Sequence, residues 1–193
     1  IGLMLVHVAF ELVEVGTLRE LDYTIMGYLF LNALFVVAAY PLVFLLEKIF
    51  MLVSVATLKD LSDTNNPLLQ ELARKAPGTF QHSLQVANMA ERAVAAIGGN
   101  ARLVKVGAMY HDVGKLNNPQ CFIENAAPGI DYHKELSPME SAREIIKHVD
   151  AGVELAKKYH LHQVIIDFIT SHHGCSQTGY FYTKYCNEGG DPS

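Results

Sequence analysis

Twenty-four consecutive residues, Tyr23 to Leu46, carry no charge: YTIMGYLFLNALFVVAAYPLVFLL. As an α-helix this run would extend for roughly 36 Å, enough to cross the ~30 Å hydrocarbon core of a bilayer with some tilt. Core helices of water-soluble domains rarely run so long without a charge, so the segment reads as a membrane span. Asn32 and Pro41 are tolerable inside a packed helical bundle, and Pro41 is expected to kink the helix.

The flanks orient the span. Residues Ile1 to Val15 are apolar but include His7, Glu11 and Glu14. They read as the tail of an earlier spanning helix, with Gly16 to Asp22 as a short outer loop. No basic stretch precedes the apolar run, which argues against a signal peptide. Lys48, Lys59, Arg74 and Lys75 follow the span, against Arg19 before it. By the positive-inside rule the C-terminal part is cytosolic. The expectation is a piece of a larger polytopic protein: residues 1–50 close a transmembrane region, 51–77 form a helical connector, and 78–193 form a soluble domain.

The formal charge of −5 argues against a basic footprint for a nucleic-acid polymer. Cys121, Cys175 and Cys186 show no CxxC spacing, so no disulfide framework is expected and reduced thiols fit better. Cys175 follows His-His-Gly and reads as a small packed residue, with metal ligation as the alternative.

Beyond the span the pattern is helical, with little sign of strands. Leu58, Leu61, Leu68, Leu69 and Leu72 are amphipathic around the turn Asp63-Thr-Asn-Asn-Pro67. Pro77-Gly78 marks an entry turn. Thr79 onward predicts a helix whose stripe Val86, Met89, Ala90, Ala93 and Ile97 also carries His82, ending at Gly98-Gly99. NARLVKVGAMYHDVGK predicts a second helix, with His111 in the row of Leu103 and Gly107, and Asp112 in the row of Val104 and Ala108. Ser137-Pro-Met-Glu140 is a capping box opening a third helix, with Ile145, Val149 and Val153 inward and His148 beside them. QVIIDFITSHHG predicts a fourth, with His172 and His173 at its end. The fold class is all-α: a transmembrane helix followed by a helical bundle.

Four helices thus bring histidines toward one interior: His82, His111 with Asp112, His148, and His172 with His173. A lone inward histidine is usually a hydrogen-bonded core residue. Five with an aspartate in one small bundle would cost several kcal/mol unless each is satisfied, and a metal satisfies many at once. Imidazole and carboxylate donors suit iron, manganese or zinc. The absence of paired cysteines disfavours a structural zinc site. An aspartate directly after a histidine can bridge two metals, and a metal pair is the usual machinery of phosphoester hydrolysis.

His82 followed by His111-Asp112 resembles the opening signature of the HD-domain metal-dependent phosphohydrolases. The longer stretches PGTFQHSLQVANMAE, GAMYHDVGKLNNPQCFIEN, SAREIIKHVDAGVELAKKY and DFITSHHG resemble its seven-transmembrane branch, the PgpH-type cyclic di-AMP phosphodiesterases of bacteria. The resemblance extends to AYPLVFLLEKIF and LKDLSDTNNPLL at the membrane exit. It implies two divalent transition metals, iron or manganese. His82, His111 and Asp112 would hold the first, and Asp112 would bridge to a second completed by His148, His172 and His173. It implies cleavage of cyclic di-AMP to pApA at a bacterial inner membrane, with the HD domain in the cytosol. Lys115 would serve the reaction by holding a phosphate oxygen, or would act as a cation at a helix C-terminus. His133 would lie near substrate or be structural. Membrane lipid and a homo-oligomer are the other partners considered.

Two departures from the family pattern stand out. The family closes its ligand set with an aspartate on a later helix. No helix is expected after His173, so that ligand is expected beyond Ser193. Cys121 and Ala126 stand where the family has Phe and Gln in FFIENQ. The alternatives are an HD phosphohydrolase acting on another cyclic dinucleotide or nucleotide, and a receptor domain that senses a nucleotide without cutting it. The aromatic segment YFYTKY, from Tyr180 to Tyr185, reads as packing, with adenine stacking as the alternative.

Overall fold

The computed structural model describes residues 2–14, 23–50 and 52–191. These residues form nine α-helices and three short 3₁₀ turns, with no strand among them. The predicted loop 16–22 lies outside the described residues. The chain divides into two compact units, Ile1–Ser54 and Val55–Ser193.

The first unit holds α1 (Gly2–Glu14) and α2 (Tyr23–Phe50). At 28 residues α2 is about 42 Å long and continuous through Pro41. Its segment Tyr23–Glu47 is long and apolar enough to cross a membrane, and the most apolar stretch of it buries nothing inside the protein. Such a surface is unstable in water and suited to lipid. Past the apolar run, the buried Glu47 turns the chain: its carboxylate accepts the Ser54 backbone N–H at 2.8 Å. Residues 52–54 are not helical.

The second unit starts with α3 (Val55–Leu61) and α4 (Pro67–Lys75). Asn66 caps α4 by accepting the Leu68 N–H at 3.0 Å, with Pro67 at the first helical position. Leu68, Leu69 and Leu72 are at most 1% exposed. The segment expected as a connector therefore supplies core to the bundle. Burying each such leucine contributes about 1.5–3 kcal/mol. The Tyr110 hydroxyl donates to the Leu61 carbonyl at 2.9 Å, tying the end of α3 to the interior.

The remaining bundle is α5 (Pro77–Ala96), α6 (Ala101–Tyr110), α7 (Pro138–Lys158), α8 (Gln163–Ser171) and α9 (Gly179–Asn187). The most extensive interface joins α5 to α6, and α7 packs on α8, α9 and the 3₁₀ turn Val113–Asn117. Small residues line the seams. Thr79, Ser83 and Ala87 are the buried row of α5, and Ser141, His148, Gly152 and Ala156 that of α7. Ile145, Val149 and Val153 flank that row, half-buried. A Cβ on Gly107 would lie 2.4 Å from the Phe168 ring, so α6 and α8 meet only because Gly107 has none.

Several expectations need correction. The stripe through Met89 and Ile97 does not face the core: these side chains are 65% and 82% exposed. Close approach of α5 selects its small residues for the buried face, which leaves His82 exposed. Pro77 is the first residue of α5 rather than part of a preceding turn. The second helix stops at Tyr110 instead of reaching Lys115, leaving His111 as its C-cap and Asp112 in the turn that follows. A helix does follow His173: α9 buries Phe181.

Candidate metal centre

The end of α6 creates the site. Where the helix stops, its last carbonyls lose their backbone partners, and His111 Nδ1 lies 2.7 Å from the Ala108 carbonyl oxygen. His148 repeats the pattern on the Ile145 carbonyl within α7, and His172 on the Ile169 carbonyl at 2.8 Å. Each ring folds back toward the N-terminus of its helix, as helical side chains do. A carbonyl can only accept, so Nδ1 carries the hydrogen in all three. The Nε2 lone pairs are then left to face inward.

Those lone pairs converge. His148 Nε2 lies 3.3 Å from His172 Nε2 and 3.2 Å from His173 Nε2. Donor atoms of His148, His172 and His173 all lie within 4.8 Å of one another, and so do those of His82, His111 and Asp112. Asp112 stands between the two groups. Its Oδ2 is 3.1 Å from His111 Nε2 and 2.9 Å from Lys115 Nζ. Its Oδ1 is 3.5 Å from His148 Nε2 and 3.6 Å from His172 Nε2. One carboxylate therefore presents one oxygen to each histidine group.

The electrostatics match a cation site. Burial pushes the Asp112 carboxyl up, but His111, His172 and Lys115 outweigh it and hold the group well below the ordinary carboxylate range. Burial pushes His148 below the ordinary imidazole range, against the Ile145 carbonyl and Asp112. Burial, with His172 and His148 next to it, does the same for His173. His148 and His173 are thereby favoured as neutral rings, whose Nε2 lone pairs a divalent cation can take. Ligand atoms bound at about 2.0–2.2 Å around one ion are themselves about 3–3.5 Å apart, the spacing that His148 keeps to both His172 and His173. The donor set present thus fits a divalent metal.

The other expected site residues are placed differently. Lys115 follows Asp112 in the turn Val113–Asn117, and its ammonium is shared by two carboxylates: Asp112, and Glu124 at 2.8 Å. It also lies 4.8 Å from the centre of the Phe122 ring, which stands nearly perpendicular to the His148 ring. His133 belongs to neither donor group. Its Nε2 lies 2.9 Å from the Cys121 carbonyl oxygen and its ring packs on Phe181, so the observed contacts are structural. Cys175 is exposed and outside both groups. Glu124, Thr79 and Asn125 were not anticipated. Glu124 touches Lys115, and Thr79 is joined to Glu124 and Asn125 by contacts 45 or 46 residues apart in sequence, which no local pattern announces.

The HD domain family profile matches residues 79–188. The chain belongs to the HD-domain family. It is 42% identical over 173 residues to the cyclic-di-AMP phosphodiesterase PgpH of Listeria monocytogenes, covering 90% of this chain and 24% of that protein. To the Bacillus subtilis protein of the same name it is 36% identical over 189 residues, covering 97% and 26%. The chain spans about a quarter of the length of these curated relatives. The crystal structure of the L. monocytogenes PgpH HD domain in complex with cyclic-di-AMP superposes with a TM-score of 0.63 at 43% identity, covering 66% of this chain and 59% of that one. The all-α HD fold expected from the sequence is thus the fold observed.

Proposed function

We propose that this chain is the membrane-anchored catalytic portion of a phosphodiesterase that hydrolyses cyclic di-AMP to pApA with two divalent transition metals, iron or manganese. The carrying observation is Asp112, one carboxylate with an oxygen toward each of two histidine groups, in a domain 43% identical to one crystallised with cyclic-di-AMP. His82, His111 and Asp112 would hold one ion; Asp112, His148, His172 and His173 would hold the other. The bound pair supplies Lewis-acid stabilisation of the charge that grows on a phosphoryl group. The Ala108, Ile145 and Ile169 carbonyls fix three rings with Nε2 inward. The buried Asp112 and His148 lie away from bulk water, which strengthens every charge interaction made there. Lys115 adds positive charge beside Asp112.

The test is product formation. Purified protein in detergent is incubated with Mn²⁺ and cyclic di-AMP, and pApA is sought by chromatography beside His111→Ala. Product from the wild type alone is expected. Bound metal without product, or preferential cleavage of cyclic di-GMP, would move the assignment to a nucleotide sensor or to another substrate. Anchoring through Tyr23–Glu47 predicts that the protein stays with the membrane pellet after an alkaline carbonate wash. Release into the supernatant would contradict it.

A further inference from the structure

Behind Asp112 lies a polar latch built on Lys115. Lys115, with a side chain 13% exposed, places Nζ 2.9 Å from Asp112 Oδ2 and 2.8 Å from Glu124 Oε1. The same Glu124 oxygen accepts the Thr79 hydroxyl at 3.1 Å. Thr79 is fully buried at the start of α5, one turn before His82. Asn125 closes the latch from both sides: its Nδ2 donates to Thr79 Oγ1 at 2.7 Å, and its Oδ1 accepts the Thr79 N–H at 3.1 Å. The turn Ile123–Asn125 can sit there because residue 78 is glycine. A Cβ on Gly78 would fall 1.8 Å from the Glu124 carbonyl oxygen.

We propose that Thr79, Asn125 and Glu124 are positioning residues that hold the Lys115 ammonium shared between two carboxylates, and so keep Asp112 Oδ2 available to a metal. An ammonium paired with Asp112 alone would concentrate its charge on the oxygen that the His82–His111 group needs for its ion. Glu124, oriented by Thr79 and Asn125, takes up part of that charge. The latch therefore lowers competition between an internal cation and an external one. The inference rests on the metal reading of the site.

The test measures Mn²⁺ affinity by titration calorimetry on the full chain in detergent, with no turnover involved. Thr79→Val removes the hydroxyl with no change of charge, so it acts on the metal only through position. It is expected to raise the Mn²⁺ Kd about ten-fold, the lower end of what loss of an outer-shell partner costs. Thr79→Ser restores the hydroxyl and is expected to keep wild-type affinity. In the Lys115→Met background Thr79→Val is expected to lose its effect, since no internal cation is left to compete. A loss that persists in that background would overturn the inference, because the threonine would then be shaping the site directly. Unchanged affinity in Thr79→Val alone would overturn it equally. If circular dichroism shows that Thr79→Val does not fold, Asn125→Ala carries the same comparison. Wild-type protein that binds no Mn²⁺ would remove the metal reading and this inference together, a result distinct from any of these.

Discussion

Gly114→Ala should separate the two halves of the metal centre. Gly114 lies two residues after Asp112, in the turn Val113–Asn117. A Cβ built there would be 1.7 Å from the His148 carbonyl oxygen and 2.4 Å from the Gly152 nitrogen. Gly114 is not among the glycines with positive φ, so alanine could adopt its backbone conformation and the penalty is steric alone. Contacts under 3.0 Å essentially never occur for a real Cβ, so the turn and α7 must part by about 1.3 Å, the gap between 1.7 and 3.0 Å. Both atoms are backbone and cannot rotate aside. Overpacking usually costs about 1–3 kcal/mol, and the rigid neighbours place this substitution at about 3 kcal/mol. For a bundle of this size that lowers the Tm by about 10 °C. The same parting carries His148 away from Asp112 Oδ1, now 3.5 Å from its Nε2. Metal affinity should fall at least about ten-fold. With Mn²⁺ at 100 times the wild-type Kd, the stabilisation by metal drops from about 2.7 to about 1.4 kcal/mol. Thermal unfolding followed by circular dichroism, with and without Mn²⁺, measures both effects. Gly98→Ala is the control: Gly98 has φ +74° and open space around it, so it should cost only about 1–2 kcal/mol of left-handed strain and leave the Mn²⁺ response intact. A Gly114→Ala protein with wild-type Tm and an unchanged Mn²⁺ response would refute the reasoning.

Other predictions concern the scaffold. Tyr110→Phe removes the donor to a carbonyl inside the unit and should cost about 1–2 kcal/mol, read as a lower denaturant midpoint at constant slope. Ser137→Ala breaks the capping box of α7 and should cost about 1 kcal/mol by the same measurement. Burial, with Glu144 and Glu124 nearby, pushes the Cys121 thiol up to about 11. Iodoacetamide at pH 8 should therefore alkylate the exposed Cys175 and spare Cys121, as read by mass spectrometry. Comparable labelling of Cys121 would contradict the packing around it.

What could be read from the sequence divides along physical lines. The capping box Ser137–Glu140, the helix stop at Gly98 and the long apolar run are local signals, and each marks an element found in the structure. The histidines that gather around Asp112 could also be named in advance from the family motif, although the helical spacing misplaced the row of His82. Burial was less legible. The hydrophobic stripe of α5 lost to the close approach of small residues at Thr79, Ser83 and Ala87, a preference set by the neighbouring helix. Just past the early end of α6, Gly114 meets the backbone of α7, a contact made with residues 34 to 38 positions away that local sequence does not signal. α9 is short, with one buried side chain, so its pattern resembles a loop with scattered aromatics. Lys115 stood out in the sequence, but its latch did not, because Thr79 and Glu124, taken singly, look like ordinary surface residues.

The central claim is that Asp112 joins two metal sites into one centre. Electron paramagnetic resonance of the Mn²⁺-loaded protein tests it most directly, beside a count of bound metal. The account predicts two ions per chain and the spectrum of a spin-coupled pair, lost in Asp112→Asn. One ion per chain with the spectrum of isolated Mn²⁺ would contradict it.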